Sequence, residues 1–381
     1  MDDYELMKQL AKGGQGTTHV AKKKSTGQRI VIKQTQCENV RTGNDALREA
    51  KTLQGLKHHS VVEYLDVFLH SADGYLVVCT VMELCNRGDL ANYLFDKRRR
   101  QSPLNEQVVR SWMGQLTDSL AYLHNLKIIH RDLKPHNVFL TKEGVLKVGD
   151  FGLSATIEHG KRTSHVGTPC YLAPEVMNHE SYGEGVDMWG VGCIGFEMMT
   201  LDFLWERKGL LAATVKMNPL TAEQLPKQFS AALRECVCSC LKHPPASRPP
   251  AATLLKKIKA SKTGSGDDSM ALAKALEGFE VSDALNYVAD SFKQGFESFN
   301  NSFKGLFGQP KPNFEMAKVT VREDDMDDYL ESLGAGQFNK AGAGDAGGGA
   351  QRGAGAKGTG APGGKPAGIL KSSSKRGTVE M

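Results

Sequence analysis

No run of about 18 apolar residues occurs, so no segment reads as a membrane-spanning helix. The opening residues, Met1-Asp2-Asp3-Tyr4-Glu5, are acidic and lead into no apolar h-region, which argues against a secretory signal. The eight cysteines lack a zinc spacing. Cys236, Cys238 and Cys240 alternate, a pattern that fits thiols on a helix better than a metal site. Neither charge sign is in large excess: 48 Lys and Arg face 43 Asp and Glu, for a net +5. That balance is too mild to point to nucleic acid, and no nucleic-acid partner is expected. Together these absences predict a reducing, cytoplasmic setting.

What is present is enough apolar residue, 40% of 381, for a sizeable core and two or three domains. Val20-Ala21, residues 29–33 and residues 75–78 are β-rich, with Lys24-Ser25-Thr26-Gly27 as a turn. Residues 46–53 are helix formers throughout. From about 104 the pattern is helical, and Val108, Trp112, Gln115, Leu116, Leu120 and Leu123 mark a buried face. Residues 261–269 read as a linker, 270–310 as an amphipathic helical segment, and 311–381 as mostly disordered, Gly/Ala-rich from 334.

The chemistry is concentrated in His130-Arg131-Asp132-Leu133-Lys134-Pro135-His136-Asn137 and Asp150-Phe151-Gly152. Asp132 can accept a hydroxyl proton, Lys134 can neutralise phosphoryl charge, and Asn137 and Asp150 offer the hard oxygens that Mg²⁺ prefers. Separately, Asp132 fits a helix cap and 150–152 a turn. Leu10-Ala11-Lys12-Gly13-Gly14-Gln15-Gly16-Thr17-Thr18 fits a phosphate cradle or a Gly-rich hairpin equally well. Lys33, at a strand end, needs an anion; Glu49 or phosphate oxygens would serve, and a plain Lys33–Glu49 surface pair is the bland reading.

Over residues 4–260 these motifs, in this order, resemble a eukaryotic protein kinase. The resemblance implies an α+β, two-lobed fold: a β-rich small lobe over about 4–80 and a helical large lobe over about 86–260. It implies ATP and Mg²⁺ as cofactors and protein substrates as partners. In it, residues 10–18, Val31, Lys33 and Glu49 bind ATP together with the hinge, Met82, Glu83 and Cys85. Asp132 is the base, aided by Lys134 and Asn137, and Asn137 and Asp150 hold metal. Glu175, Asp187 and Arg248 are structural. Lys134 and Gly167-Thr168-Pro169 are similar to the Ser/Thr-specific pattern. Val81-Met82-Glu83-Leu84-Cys85, Gly88-Asp89-Leu90, Asn137-Val138-Phe139-Leu140, Gly167-Thr168-Pro169-Cys170-Tyr171 and Met199-Thr200-Leu201 look most like the NIMA-related (NEK) kinases. That family likeness also suggests cytoskeleton or cilium.

Three residues depart from the kinase pattern. Ala11 replaces the first loop glycine, Thr18 a valine and Val31 a small alanine, all in the nucleotide roof. They leave a pseudokinase scaffold as the alternative to an active enzyme. In the resemblance, Arg131 binds a phosphate on the activation segment, which implies activation by phosphorylation at Thr163 or Ser164, with Thr168 more structural. Leu285, Val288, Phe292, Phe296, Phe299, Phe303, Leu306 and Phe307 form an apolar stripe. It suits docking or self-association, a partner-binding or autoinhibitory helix, or a membrane surface.

Overall fold

The computed structural model describes residues 1–13, 16–37, 40–72, 75–151, 155–156, 171–178, 180–204, 219–261 and 268–279. The small lobe is one antiparallel sheet of β1 (Tyr4–Gly13), β2 (Gly16–Lys23), β3 (Arg29–Cys37), β4 (Tyr64–Ala72) and β5 (Tyr75–Glu83). Their order is β1-β2-β3-β5-β4, with α1 (Val40–Gln54) between β3 and β4 in the chain. The three expected strand segments are longer than the sequence pattern showed, and β1 and β4 complete the sheet. Gly27, at φ +72°, closes the β2–β3 turn in a conformation that favours glycine.

Period-two alternation divides β3 cleanly. Ile30 and Ile32 are buried with Ala21, Cys79 and Val81 in a small-lobe core. Val31 and Lys33 therefore lie on the opposite face. Register pairs Ala11 with Thr18, Thr18 with Lys33, Lys33 with Thr80, and Val31 with both Val20 and Met82. Paired residues share a face, so all three departures from the kinase pattern lie on the face that carries Lys33.

The large lobe is helical, as expected: α2 (Leu90–Arg99), α3 (Glu106–Asn125), α4 (Pro174–Met177), α5 (Gly185–Thr200), α6 (Ala231–Cys240), α7 (Ala251–Ala260) and α8 (Asp268–Ala275). Two short antiparallel pairs join β6 (Ile128–Ile129) to β9 (Ala155–Thr156) and β7 (Val138–Leu140) to β8 (Leu146–Val148). Asp89 caps α2 by accepting from Asn92 N–H at 2.8 Å, and Asn105 caps α3 by accepting from Val108 N–H at 2.9 Å. The apolar residues of the predicted α3 face are buried, and Gln115 instead accepts the Leu146 N–H at 2.7 Å. Helix α5 is buried on every side from Val186 to Met199, as its all-round hydrophobicity requires.

Cys236, Cys238 and Cys240 are buried on α6 as free thiols. Burial pushes all three thiols up, Cys238 to about 12, so they pack as small apolar groups. Among the described residues no helix is long and apolar enough to cross a membrane.

Helix α8 begins at Asp268, inside the segment read as linker. Leu272, Leu276 and Phe279 join the large-lobe core. The Leu285–Phe307 stripe and the tail from 311 lie outside the described residues.

Candidate active site

One buried carboxylate organises the 130–137 loop. Asp187, in the first turn of α5, accepts from the backbone N–H of His130 at 2.9 Å and of Arg131 at 2.8 Å. His124, from the last turn of α3, meets the same carboxylate at 2.8 Å through Nε2. Burial alone would raise the pKa of Asp187. The hydrogen bonds from His124 and His130 outweigh it and hold the carboxyl below the usual range. Gly190 lets the loop sit down on α5, since a Cβ there would meet Leu133 at 2.9 Å.

His130 fixes its own tautomer. Its Nε2 lies 3.0 Å from the Gly149 carbonyl, so that nitrogen carries the proton. Its Nδ1 accepts from Asp132 N–H at 3.3 Å. The two sequence motifs, 130–137 and 150–152, are thus joined through one imidazole, and Gly149 N–H returns a bond to the Asn137 carbonyl at 2.9 Å.

On this frame sit the reactive groups. Lys134 Nζ donates to Asp132 Oδ2 at 2.7 Å, and Asn137 Nδ2 donates to the same oxygen at 3.0 Å and to the Asp132 carbonyl at 2.7 Å. Both side-chain bonds fall on Oδ2, which leaves Oδ1 of Asp132 disengaged from them. Asp150 takes a left-handed φ of +56° and forms an ion pair with Lys33 from β3. Burial would raise its pKa, but Lys33, with His130 and Lys134, holds it below the usual carboxylate range. Phe151 is buried against the rings of His130 and Tyr64, at 4.9 and 6.0 Å. Burial, with Lys134 adding, pushes His136 down to about 3, so it is neutral beside these groups.

Lys33 therefore meets Asp150 across the two lobes. Glu49 lies in α1, and its side chain is outside the described residues, as are Gly14 and Gln15 and the side chain of Lys12. Gly16 begins β2 where a Cβ would collide with the Gln34 carbonyl, so glycine is required there. Thr17 donates to Gln34 Oε1 at 3.1 Å, and Leu10 and Met82 pack against the large-lobe core.

The Glu83 carboxylate is already occupied. It accepts from Lys147 Nζ at 2.7 Å and from Glu63 N–H at 2.7 Å. The Glu83 backbone N–H in turn donates to the Glu63 carbonyl at 3.0 Å. Cys85 is buried too, and burial, with Glu83 adding, pushes its thiol up to about 12. Sequence reasoning missed Lys147, whose alternation along β8 carries no sign of its partner.

Around the site, Glu175 and Arg248 form a buried bidentate pair at 2.6 and 2.8 Å. Arg248 also donates to the Gly185 carbonyl at 2.8 Å and lies over the Trp189 ring. Arg131, with a left-handed φ of +70°, has its guanidinium 5.7 Å from the Tyr182 ring, and its buried Nε has no hydrogen-bond partner among the described residues. Thr163, Ser164 and Thr168 lie outside the described residues.

His58, His59 and Asp118 also cluster, with both Nε2 atoms 3.7–3.8 Å from Asp118 Oδ2. Ser60 N–H donates to His58 Nδ1 at 3.1 Å, so neutral His58 carries its proton on Nε2, toward Asp118. The three side chains bring the α1–β4 loop against α3, and their nitrogen and carboxylate ligand atoms all lie within 4.8 Å of one another.

The protein kinase domain model matches residues 4–258, about two thirds of the chain. Serine/threonine-protein kinase Nek4 of Mus musculus is 33% identical over 258 residues, 67% of this chain and 32% of that protein. Probable serine/threonine-protein kinase nek2 of Dictyostelium discoideum is 33% identical over 255 residues, 65% of this chain and 60% of that one. Serine/threonine-protein kinase Nek6 of Oryza sativa subsp. japonica is 30% identical over 258 residues, 67% and 47% of the two chains. This chain thus aligns with only a third to three fifths of the length of these relatives. The ordered motifs, the Asp187-centred loop, the Lys33–Asp150 pair and the matched model converge: the chain belongs to the protein kinase family.

Proposed function

We propose that the protein is a Ser/Thr kinase that moves the γ-phosphoryl of ATP to a Ser or Thr hydroxyl of a protein substrate. The observation that carries this reading is the joint placement of Asp132, Lys134, Asn137 and Asp150 on one frame, with Lys33 brought to Asp150. Family membership implies ATP and a divalent cation. The hard oxygens of Asn137 and Asp150 suit Mg²⁺, which would neutralise charge on the phosphates. The substrate hydroxyl oxygen attacks the γ-phosphorus, the bond to the β–γ bridging oxygen breaks, and ADP leaves. Asp132 orients the hydroxyl and takes its proton, while Lys134 offsets charge on the transferring group. Ser/Thr direction is supported by Lys134 and by the likeness to serine/threonine-protein kinases.

Among the described residues nothing favours a pseudokinase: the acid–base and metal set is complete. Ala11, Thr18 and Val31 tune nucleotide affinity without removing a charged group. Activation follows phosphorylation of Thr163 or Ser164, whose phosphate Arg131 would receive; its buried Nε, unpartnered among the described residues, supports this. A peptide-library assay with an Asp150→Ala control tests the activity. Transfer to Ser and Thr by the wild type and none by the control is expected; no transfer, with no Mg²⁺-dependent mant-ATP binding, overturns the reading. A Thr163→Ala/Ser164→Ala double variant that keeps full activity overturns the regulatory part.

A further inference from the structure

Helix α8 and the turn after it lie beyond the matched kinase domain, yet they are built into the large lobe. Leu272, Leu276 and Phe279 are 5%, 2% and 1% exposed, as buried as the central helices. Gly144, at φ +80°, has no Cβ, and Leu272 lies where one would point, 2.9 Å away. Trp112 Nε1 donates to the Gly144 carbonyl at 2.9 Å, which holds that β7–β8 turn against α3. At the other end of α8, Tyr93 of α2 donates its hydroxyl to the Ala275 carbonyl at 2.9 Å, and its ring meets Phe279 edge-on at 5.1 Å.

The last contact is the informative one. Gly278, at φ +67°, turns the chain so that the Phe279 carbonyl accepts from Arg87 Nη1 at 2.7 Å. Arg87 lies two residues past Cys85, in the segment that leaves the hinge. Its own N–H donates to the Leu140 carbonyl at 3.0 Å, and Leu140 N–H donates to the Gly88 carbonyl at 2.8 Å. Leu140 ends β7, the strand that directly follows Asn137. One guanidinium therefore ties the C-terminal segment to the hinge exit, and the backbone of the same residue ties that exit to the active-site loop.

We propose that residues 268–279 are a strap on the hinge: through Arg87 they position the backbone of residues 83–88, and so the affinity for nucleotide. Arg87 and Phe279 act as positioning residues. The affinity part rests on the kinase reading above; the positioning part does not. A charge-assisted bond to a carbonyl is the strong kind, and losing it should matter about tenfold.

The test uses the full chain carrying Arg87→Met, Arg87→Lys or Phe279→Ala, with Gln107→Ala as the control. Gln107 bonds Asp268 at the far end of α8, at 3.1 Å. Hydrogen exchange of residues 83–90 is expected to quicken about tenfold in Arg87→Met and Phe279→Ala, to recover partly in Arg87→Lys, and to stay at the wild-type rate in Gln107→Ala. The KM for ATP is expected to rise several-fold in the first two variants while kcat at saturating ATP stays within about twofold. Wild-type exchange at 83–90 in both variants overturns the strap. Faster exchange with an unchanged KM overturns its control of affinity. A wild type that binds no nucleotide, with the exchange pattern as expected, overturns the kinase reading and leaves the strap standing.

Discussion

The Asp132 carboxylate is held at one oxygen by two donors, Lys134 and Asn137, and that grip sets its orientation. Asp132→Asn keeps the size and removes the proton acceptor. Turnover should fall about 10²- to 10⁴-fold, while mant-ATP affinity stays within a few-fold. Steady-state phosphorylation beside a binding titration checks this; an equal loss in both would place Asp132 in binding instead. His58 makes a different residue-scale statement. Burial, with His59 and Lys147 adding, holds its imidazole below the ordinary value, against the pull of Asp118. The folded state then binds fewer protons than the unfolded chain, and stability is lost as pH falls from about 6.5 toward the lowered folded value. His19 and His136, also held low by burial, contribute in the same direction. Melting curves from pH 8 to 5 should show His58→Asn with a shallower acid slope than the wild type; identical slopes would refute the assignment.

At the scale of elements, the Glu175–Arg248 pair ties the start of α4 to the chain ahead of α7, with both side chains essentially sealed from water. Arg248→Met leaves a buried carboxylate without its partner, which costs about 3–5 kcal/mol. Urea unfolding should show that loss, and a Glu175→Met/Arg248→Met double variant should recover part of it. Glu175 and Arg248 were expected only through the kinase resemblance, as structural residues, whereas Asp132, Lys134, Asn137 and Asp150 stood out because phosphoryl chemistry calls for those residue types close together. Helix α8 was not legible in the sequence. Leu272, Leu276 and Phe279 show the same periodicity as the stripe from Leu285 to Phe307. What distinguishes them is tertiary: a glycine at 144, a tyrosine at 93 and an arginine at 87, each remote in sequence. The Glu83–Lys147 pair was hidden for the same reason. Strand β1, with its bulges at Leu6/Lys8 and Gln9/Ala11, hid because a shifted register breaks the alternation by which a strand is read.

For the molecule as a whole, the kinase domain does not close on itself at residue 258. Leu276 belongs to the same core cluster as Trp112, Met113 and Trp189. Leu276→Ala in the full chain should therefore cost about 2–5 kcal/mol, as a core truncation does, and not the few tenths expected of a tail residue. A shift of the urea midpoint at constant m-value would show it; a wild-type midpoint would mean that α8 adds nothing to the fold.

The face shared by Ala11, Thr18, Val31 and Lys33 has a consequence for inhibitor chemistry. Where kinases of the usual pattern present an alanine and a valine to a flat heterocycle, this roof presents a β-branched valine and a hydroxyl. A ligand with a hydrogen-bond acceptor under Thr18 and a trimmed edge under Val31 should discriminate this cleft from clefts of the usual pattern. Selectivity here rests on two side chains of the sheet, while the loop below supplies the features that such clefts have in common.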